Sequence, residues 1–490
     1  MGIFANPLTD LLEYEDFSRD FLKGTDPVGM TGCIDSEKVH FMSTFLGEKK
    51  VQLVVTYNEQ RAREIEEDYK LFCSQVYVIP PRDLIFFSAD LQGNAIIAER
   101  MKAFAALYQN EAKVIITTID ALMSAAVPFE QLMSHVIKLK EGDELDLEKL
   151  KHDLTVMGYE RVGRVEEPGQ FTVHGGIADV YPLTMEVPVR IELWGDEIDT
   201  IRCFEPQSQR SMDQIECVSV FPAAEVIADD TARRRAVGMI QNELESQLAV
   251  FKKAKEPDKA KRLREETNRI LEALGEDVVL EAPDSYISYF YPRTVQLSEY
   301  FDEKNTLVFL DEPMRLKERG DGVQAEFEES MKNRLEQGFL LPGQTALLTP
   351  AKHVLAAFER GQVAALSSLD SRLADFTVVN SYAVNVQNMN TYREGFELLI
   401  KDLTHWKKEK YRIVLLCPSR TRANRIVNQL IEYDLLAYYS EDEDKKINPG
   451  EIMVTYGNLH RGFLYPMLKF AVITESDIFG VKKKKKEKKS

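Results

Sequence analysis

Residues 158–211 constrain the fold of this chain more than any other stretch. Apolar residues recur there at strand period: Phe171 and Val173, Ile177 and Val180, then Val189, Ile191 and Leu193, and finally Ile198 and Ile201. Turn formers punctuate the run at Pro168-Gly169, Gly175-Gly176, Pro182, Pro188 and Gly195-Asp196. Short alternating runs separated by tight turns pair with their neighbours, so the pattern predicts a compact antiparallel meander. No cluster of Cys, His or carboxylates suited to catalysis occurs in it before Asp196–Asp199. It does carry Arg161, Arg164, Arg190, Arg202 and Arg210, read as exposed. Arginine's planar fork suits it to gripping a partner.

On both sides of the meander the pattern changes to alternating strand and helix. Residues 51–56 (VQLVVT), 76–79 and 113–117 (KVIIT) read as buried strands, with helices at 58–73 and 95–108. Such alternation implies a mainly parallel sheet covered by helices. A helix at 145–158 leads into the meander, and 229–274 reads as a long charged helix or helical hairpin. The strand 306–310 (TLVFL) ends in Asp311-Glu312 and is followed by a helix at 314–337. A further α/β unit follows, with helices at 394–408 and 419–433 and strands at 411–417, 451–455 and 470–474. At 490 residues the chain is too long for one core. The fold class is α/β multidomain, interrupted by a small α+β unit and ended by a small α/β domain.

Composition excludes several function classes. The formal net charge is −18, and residues 482–490 hold seven Lys against one Glu, so the rest is more acidic still. An acidic body is a poor match to duplex phosphate, which leaves the lysine tail as a solvated segment or a short nucleic-acid arm. The five cysteines form no CxxC pair and the seven His no HxxxH spacing, so no metal site and a reducing, cytoplasmic setting are expected. There is no apolar run long enough for a membrane span and no basic start for a secretory signal. A chain ending inside a lysine run reads as cut short.

Two motifs bear on chemistry. Residues 28–38, VGMTGCIDSEK, resemble a Walker A loop, whose glycines let backbone N–H groups wrap phosphate. Gly29 and Gly32 remain and Ser36 stands at the hydroxyl position, but Asp35 stands where the lysine belongs and would repel a triphosphate. Lys38 lies two residues too late to replace the missing ammonium without rebuilding the loop. Phe309-Leu310-Asp311-Glu312 has the form of a Walker B strand end, with two carboxylates for magnesium and water. Without the lysine it has no phosphate to act on and reads as vestigial. Arg420, Arg422 and Arg425 open a helix against its dipole, which fits simple exposure.

These residues together resemble the N-terminal half of the bacterial transcription-repair coupling factors (Mfd). GYER, PGQFTVHGGIADVYPLT, VRIELWGDEIDTIRCF and SQRS carry the likeness, with GFLYPMLKFAVITESDIFG near the end. The meander is more distantly similar to the UvrA-binding domain of the excision-repair subunit UvrB. The resemblance implies degenerate RecA/helicase-like, P-loop-derived halves at 1–123 and 218–345, with the UvrA-binding domain inserted at 124–217. A linker at 346–375, a small α/β domain at 376–478 and a basic tail at 479–490 complete the arrangement. The RNA-polymerase-interacting domain and the double-stranded-DNA translocase of the family would follow the tail. Family contact positions for UvrA fall on Arg161, His174, Arg190 and Glu192. His174 stands where arginine is usual, keeping a donor but losing the fork and the permanent charge. The UvrB hairpin that threads DNA is replaced by the short connection 81–93. The resemblance therefore implies a UvrA-recruiting module without catalysis or cofactor of its own, ATP and magnesium belonging to the absent translocase. The alternative is an ATPase or helicase on residues 20–345.

Overall fold

The computed structural model describes residues 7–48, 50–82, 92–275, 283–370, 376–392, 395–442 and 445–480. The lysine tail and most of the short connection after the strand 76–79 lie outside the described residues.

A seven-stranded sheet organises the larger part of the molecule. Its order is Asn380–Ala383, Val28–Thr31, Val363–Ser367, Thr306–Asp311, Val51–Thr56, Val114–Thr118 and Val76–Ile79. Every adjacent pair in it is parallel. Its central strands are buried nearly throughout. That is the reason they read as continuous apolar runs rather than alternating ones. The predicted linker at 346–375 is a correction. Ala351–Ala356 is a helix and Val363–Ser367 is a central strand between Val28–Thr31 and Thr306–Asp311. The sheet therefore draws on three distant parts of the chain.

The inserted unit is closed by Ile137–Lys140 pairing antiparallel with Cys217–Val220, so it ends beyond the expected boundary at 217. Its six-stranded sheet runs Ser211–Gln214, Glu197–Phe204, Val189–Trp194, Ile177–Val180, Gln170–His174 and Glu160–Arg161. All these neighbours are antiparallel except the last pair, which is parallel, so the meander begins one strand later than its turns suggest. One face packs Phe171, Val173, Ala178, Val180, Val189, Ile191, Ile198 and Ile201 against Leu150 and Leu154 of the helix Leu147–Val156. Ile177 does not join them. It is out of phase with Val180 and stays exposed.

The charged stretch after this unit is a hairpin of Asp230–Ala254 and Pro257–Gly275, whose apolar stripes join the main core. The last unit is a six-stranded sheet in the order Gln387–Asn388, Phe463–Tyr465, Phe470–Thr474, Arg412–Cys417, Ile452–Tyr456 and Ala437–Tyr439. It shares a core with the seven-stranded sheet. Val414, Leu416, Met453, Phe463, Tyr465 and Phe470 pack with Val39, Phe41, Ile65 and Val78 in one cluster.

Gly29 and Gly32 have a packing role here. A Cβ on Gly29 would lie 2.9 Å from a Val378 methyl, and one on Gly32 would lie 2.0 Å from the Val384 carbonyl oxygen. Gly32 also takes φ +83°. Gly32→Ala is expected to destabilise by more than the roughly 1–2 kcal/mol of left-handed strain alone, because a backbone atom must move as well. Hydrogen exchange should show the loss first in the edge strand Asn380–Ala383.

Candidate interaction face and the glycine loop

With one face of the inserted sheet committed to the core, the other faces outward, and register defines its rows. One row is Thr172, Asp179, Arg190, Arg202 and Gln214; the next is His174, Ile177, Glu192 and Thr200. Three of the four sequence-predicted contact residues, His174, Arg190 and Glu192, thus fall on one face in adjacent rows. Arg161 stands on the edge strand opposite Phe171, with the parity of the core side, and is exposed past the edge.

These side chains are not equally free. Arg190 is half-buried, not exposed. Its Nε and Nη2 donate to Asp179 Oδ1 and Oδ2 at 2.8 and 2.7 Å, and its guanidinium lies 4.7 Å from the centre of the Phe204 ring. Hydrogen bonding to Asp179 raises the Arg190 pKa further. Arg202 is half-buried too. Glu192 accepts a 3.1 Å hydrogen bond from the Thr200 hydroxyl, and His174 Nε2 lies 2.8 Å from Thr172 Oγ1. Asp179 was missed in the sequence although it alternates correctly for this face. A carboxylate between apolar strand neighbours was the available signal.

The glycine loop departs further from expectation. Asp35 opens the helix Asp35–Ser43 at φ 28°, and its carbonyl accepts a 2.8 Å hydrogen bond from Arg61 Nη2. Lys38 follows three residues later on the same helix and is spent on the strand-end carboxylates. Its Nζ lies 2.7 Å from Asp311 Oδ1 and 2.7 Å from Glu312 Oε1, all but excluded from solvent. Thr56 Oγ1 donates to Asp311 Oδ2 at 2.8 Å and Arg61 Nε lies 3.4 Å from the same oxygen. Burial opposes ionisation of Asp311, but Lys38 and Arg61 outweigh it and hold the carboxyl at about 2. Glu312 sits at φ 54°, fixed by Lys38 and by the Ser368 amide at 2.9 Å. The two carboxylates are neutralised by the chain itself. No group of three or more His, Cys, Asp or Glu among the described residues is placed to hold a metal.

The final α/β unit covers this loop from outside. The Arg461 amide donates to Ser36 Oγ at 2.9 Å, the His460 amide to Asp68 Oδ1 at 2.5 Å, and the Tyr465 hydroxyl to Glu37 Oε1 at 2.7 Å. Arg461 Nη1 lies 3.4 Å from Asp35 Oδ2. Every residue from Ser36 to Ser43 is buried. Burial lifts Glu37 from 4.5 to about 7, against the opposing bonds from Tyr465 and Ile34. Burial likewise lifts Asp68 from 3.8 to about 7.

Comparison with known proteins finds two family models and a set of curated relatives. Residues 137–225 match the family model described as UvrB interaction domain, and 405–478 match the one described as MFD, D3 domain. The chain is 28% identical over 490 residues to the transcription-repair-coupling factor of Bacillus subtilis (strain 168), covering 99% of this chain and 41% of that protein. It is 27% identical over 494 residues to that of Staphylococcus epidermidis, covering 100% of this chain and 41% of that protein. Against that of Staphylococcus aureus (strain Mu50) the identity is 25% over 505 residues, with coverage of 100% and 41%. The chain spans about two-fifths of the length of these curated relatives. Among the described residues no helix is long and apolar enough to cross a membrane.

The two raised carboxyls set a pH dependence. Each binds its proton more tightly folded than unfolded, so the stability they lend is complete in acid and is lost as pH rises towards about 7. Hydrogen-exchange protection of Phe463–Tyr465 should fall over that window. Glu37→Gln should flatten the fall, and an unchanged slope would remove Glu37 as its source.

Proposed function

We propose that this chain, similar along its whole length to the transcription-repair-coupling factors, is a recruitment module that binds UvrA and catalyses nothing itself. The observation that supports this most is the open row of His174, Ile177 and Glu192 on the outer face of the inserted sheet, beside the covered row of Thr172, Asp179 and Arg190 and within the stretch matching a UvrB interaction domain. His174 and Glu192 offer a donor and an acceptor on that face, while Arg190 braces it and Arg161 extends it at the edge. The seven-stranded parallel sheet reads as a motor half of RecA type that has lost its reaction. In it, Lys38 occupies both carboxylates of the Walker B-like pair and the last unit covers the loop. Under this reading the chain needs no nucleotide or metal. Under the same reading, RNA polymerase and double-stranded DNA would be met by other parts of a transcription-repair-coupling factor than those this chain matches.

Binding of purified UvrA to the full chain, followed by titration calorimetry, tests the proposal. Glu192→Arg and His174→Glu should each weaken it by about tenfold or more, on the scale of about 1–3 kcal/mol for a lost interface contact. Arg190→Glu is a poor probe, because the new carboxylate would face Asp179 and disturb the sheet itself. No binding by the unaltered chain would reject the role.

The rival reading is an ATPase on the parallel sheet. Steady-state assays with ATP and magnesium should give no turnover. Hydrolysis abolished by Asp311→Asn would reverse the preference for a non-catalytic module.

A further inference from the structure

The end of the outer face carries a feature that the four predicted contact residues leave out. Trp194 is 84% exposed, while the chain's other tryptophan, Trp406, is buried. Its position is not accidental to the sheet. Leu193 pairs with Ile198 on the core side, so Trp194 points the other way, towards the row of His174, Ile177 and Glu192. Ile177, 40% exposed, lies in that row. Both hairpins at this end turn in two residues with Gly at the first position, Gly175 at φ +60° and Gly195 at φ +65°. That is the form of a type II′ turn, which needs a glycine there.

The backbone around Trp194 is held on both sides. Leu193 N donates to Gly176 O at 2.8 Å, and across the hairpin Leu145 N donates to Asp196 O at 2.8 Å and Ile198 N to Asp143 O at 2.9 Å. A large aromatic on a rigid backbone binds without the ordering cost that a mobile loop would add. The nearby charges are acidic: Glu192 on the face, and the exposed Asp196, Glu197 and Asp199 on and beside the turn. An aromatic projecting from a polar rim has the anatomy of an interface anchor.

We propose that Trp194 is the anchor of the partner interface, inserting with Ile177 into an apolar cleft of UvrA that is flanked by basic side chains. The proposal rests on the recruitment reading and deepens it. It moves the centre of the contact from the arginines to the acidic, aromatic end of the sheet. Trp194 makes no core contact, so its removal leaves the fold intact.

The test is affinity of the full chain for UvrA across Trp194→Ala and Trp194→Phe, with circular dichroism as the check on folding. Trp194→Ala should weaken binding by about thirtyfold or more, the fold-change of an interface hot spot, and Trp194→Phe should retain most of it. In a Trp406→Phe background, Trp194 fluorescence should shift to the blue when UvrA is added. If the unaltered chain binds UvrA and Trp194→Ala binds equally well, the anchor is elsewhere and the inference falls while the recruitment reading stands. If the unaltered chain does not bind, the recruitment reading itself fails. If Trp194→Ala abolishes self-association instead, the patch meets a second copy of this chain, and the inference is likewise overturned.

Discussion

The ion cluster of Lys38, Arg61, Asp311 and Glu312 is the contact on which the larger fold depends. It ties the helix Asp35–Ser43, the helix Glu59–Tyr69 and the end of the strand Thr306–Asp311 at one point. Lys38 and Arg61 face Asp311 and Glu312, and Arg61 also lies 3.3 Å from Glu64 Oε2, so each buried cation has carboxylate partners. Removing one member would strand a buried charge, at a cost on the order of 3–5 kcal/mol. A cation drawn to these carboxylates would have to displace an ammonium already at hydrogen-bond distance.

Around that cluster the last α/β unit is built as a cover. It places Arg461 and Tyr465 on the helix Asp35–Ser43, which a phosphate-binding loop would leave open, and His460 on the neighbouring helix Glu59–Tyr69. Gly29 and Gly32, the residues that make the loop look like a phosphate cradle, instead admit Val378 and the Val384 carbonyl. Glycine at these positions therefore supports two readings from sequence, and only the position of the strand Asn380–Ala383 separates them. The cover is polar at its rim and apolar within, where Phe463 stacks on His40 with ring centres 5.3 Å apart.

Much of this was legible from the chain alone. Alternation between apolar runs and charged helices placed the strands of the parallel sheet, because such strands are buried on both faces. The inserted sheet was legible for the opposite reason, its one buried face imposing a period of two. Where the reading failed, the cause was distance along the chain. Val363–Ser367 is a short apolar run with a short helix before it, and nothing local shows that it inserts between strands more than fifty residues away. Position counting puts Lys38 too late for a Walker A lysine, but does not show that, three residues after Asp35 on a helix, it reaches the carboxylates at the end of the strand Thr306–Asp311. The resemblance supplied the site residues, but it could not say that Arg190 is already satisfied by Asp179 within the sheet.

That last point alters how the outer face works. Arg190 gives its Nε and Nη2 to Asp179 and Gln209 in the free protein, and so braces the strands that present the others. Arg190, gripped by Asp179 and laid on Phe204, sets the spacing between Val189–Trp194 and Ile177–Val180. The side chains left to respond lie one row nearer the hairpin ends: His174, Ile177, Glu192 and Trp194. Rigid support behind an exposed row is the division that would let a small sheet bind without first ordering itself. Of the arginines in the inserted sheet, Arg190 braces the platform, while Arg161, Arg164 and Arg210 remain exposed around it.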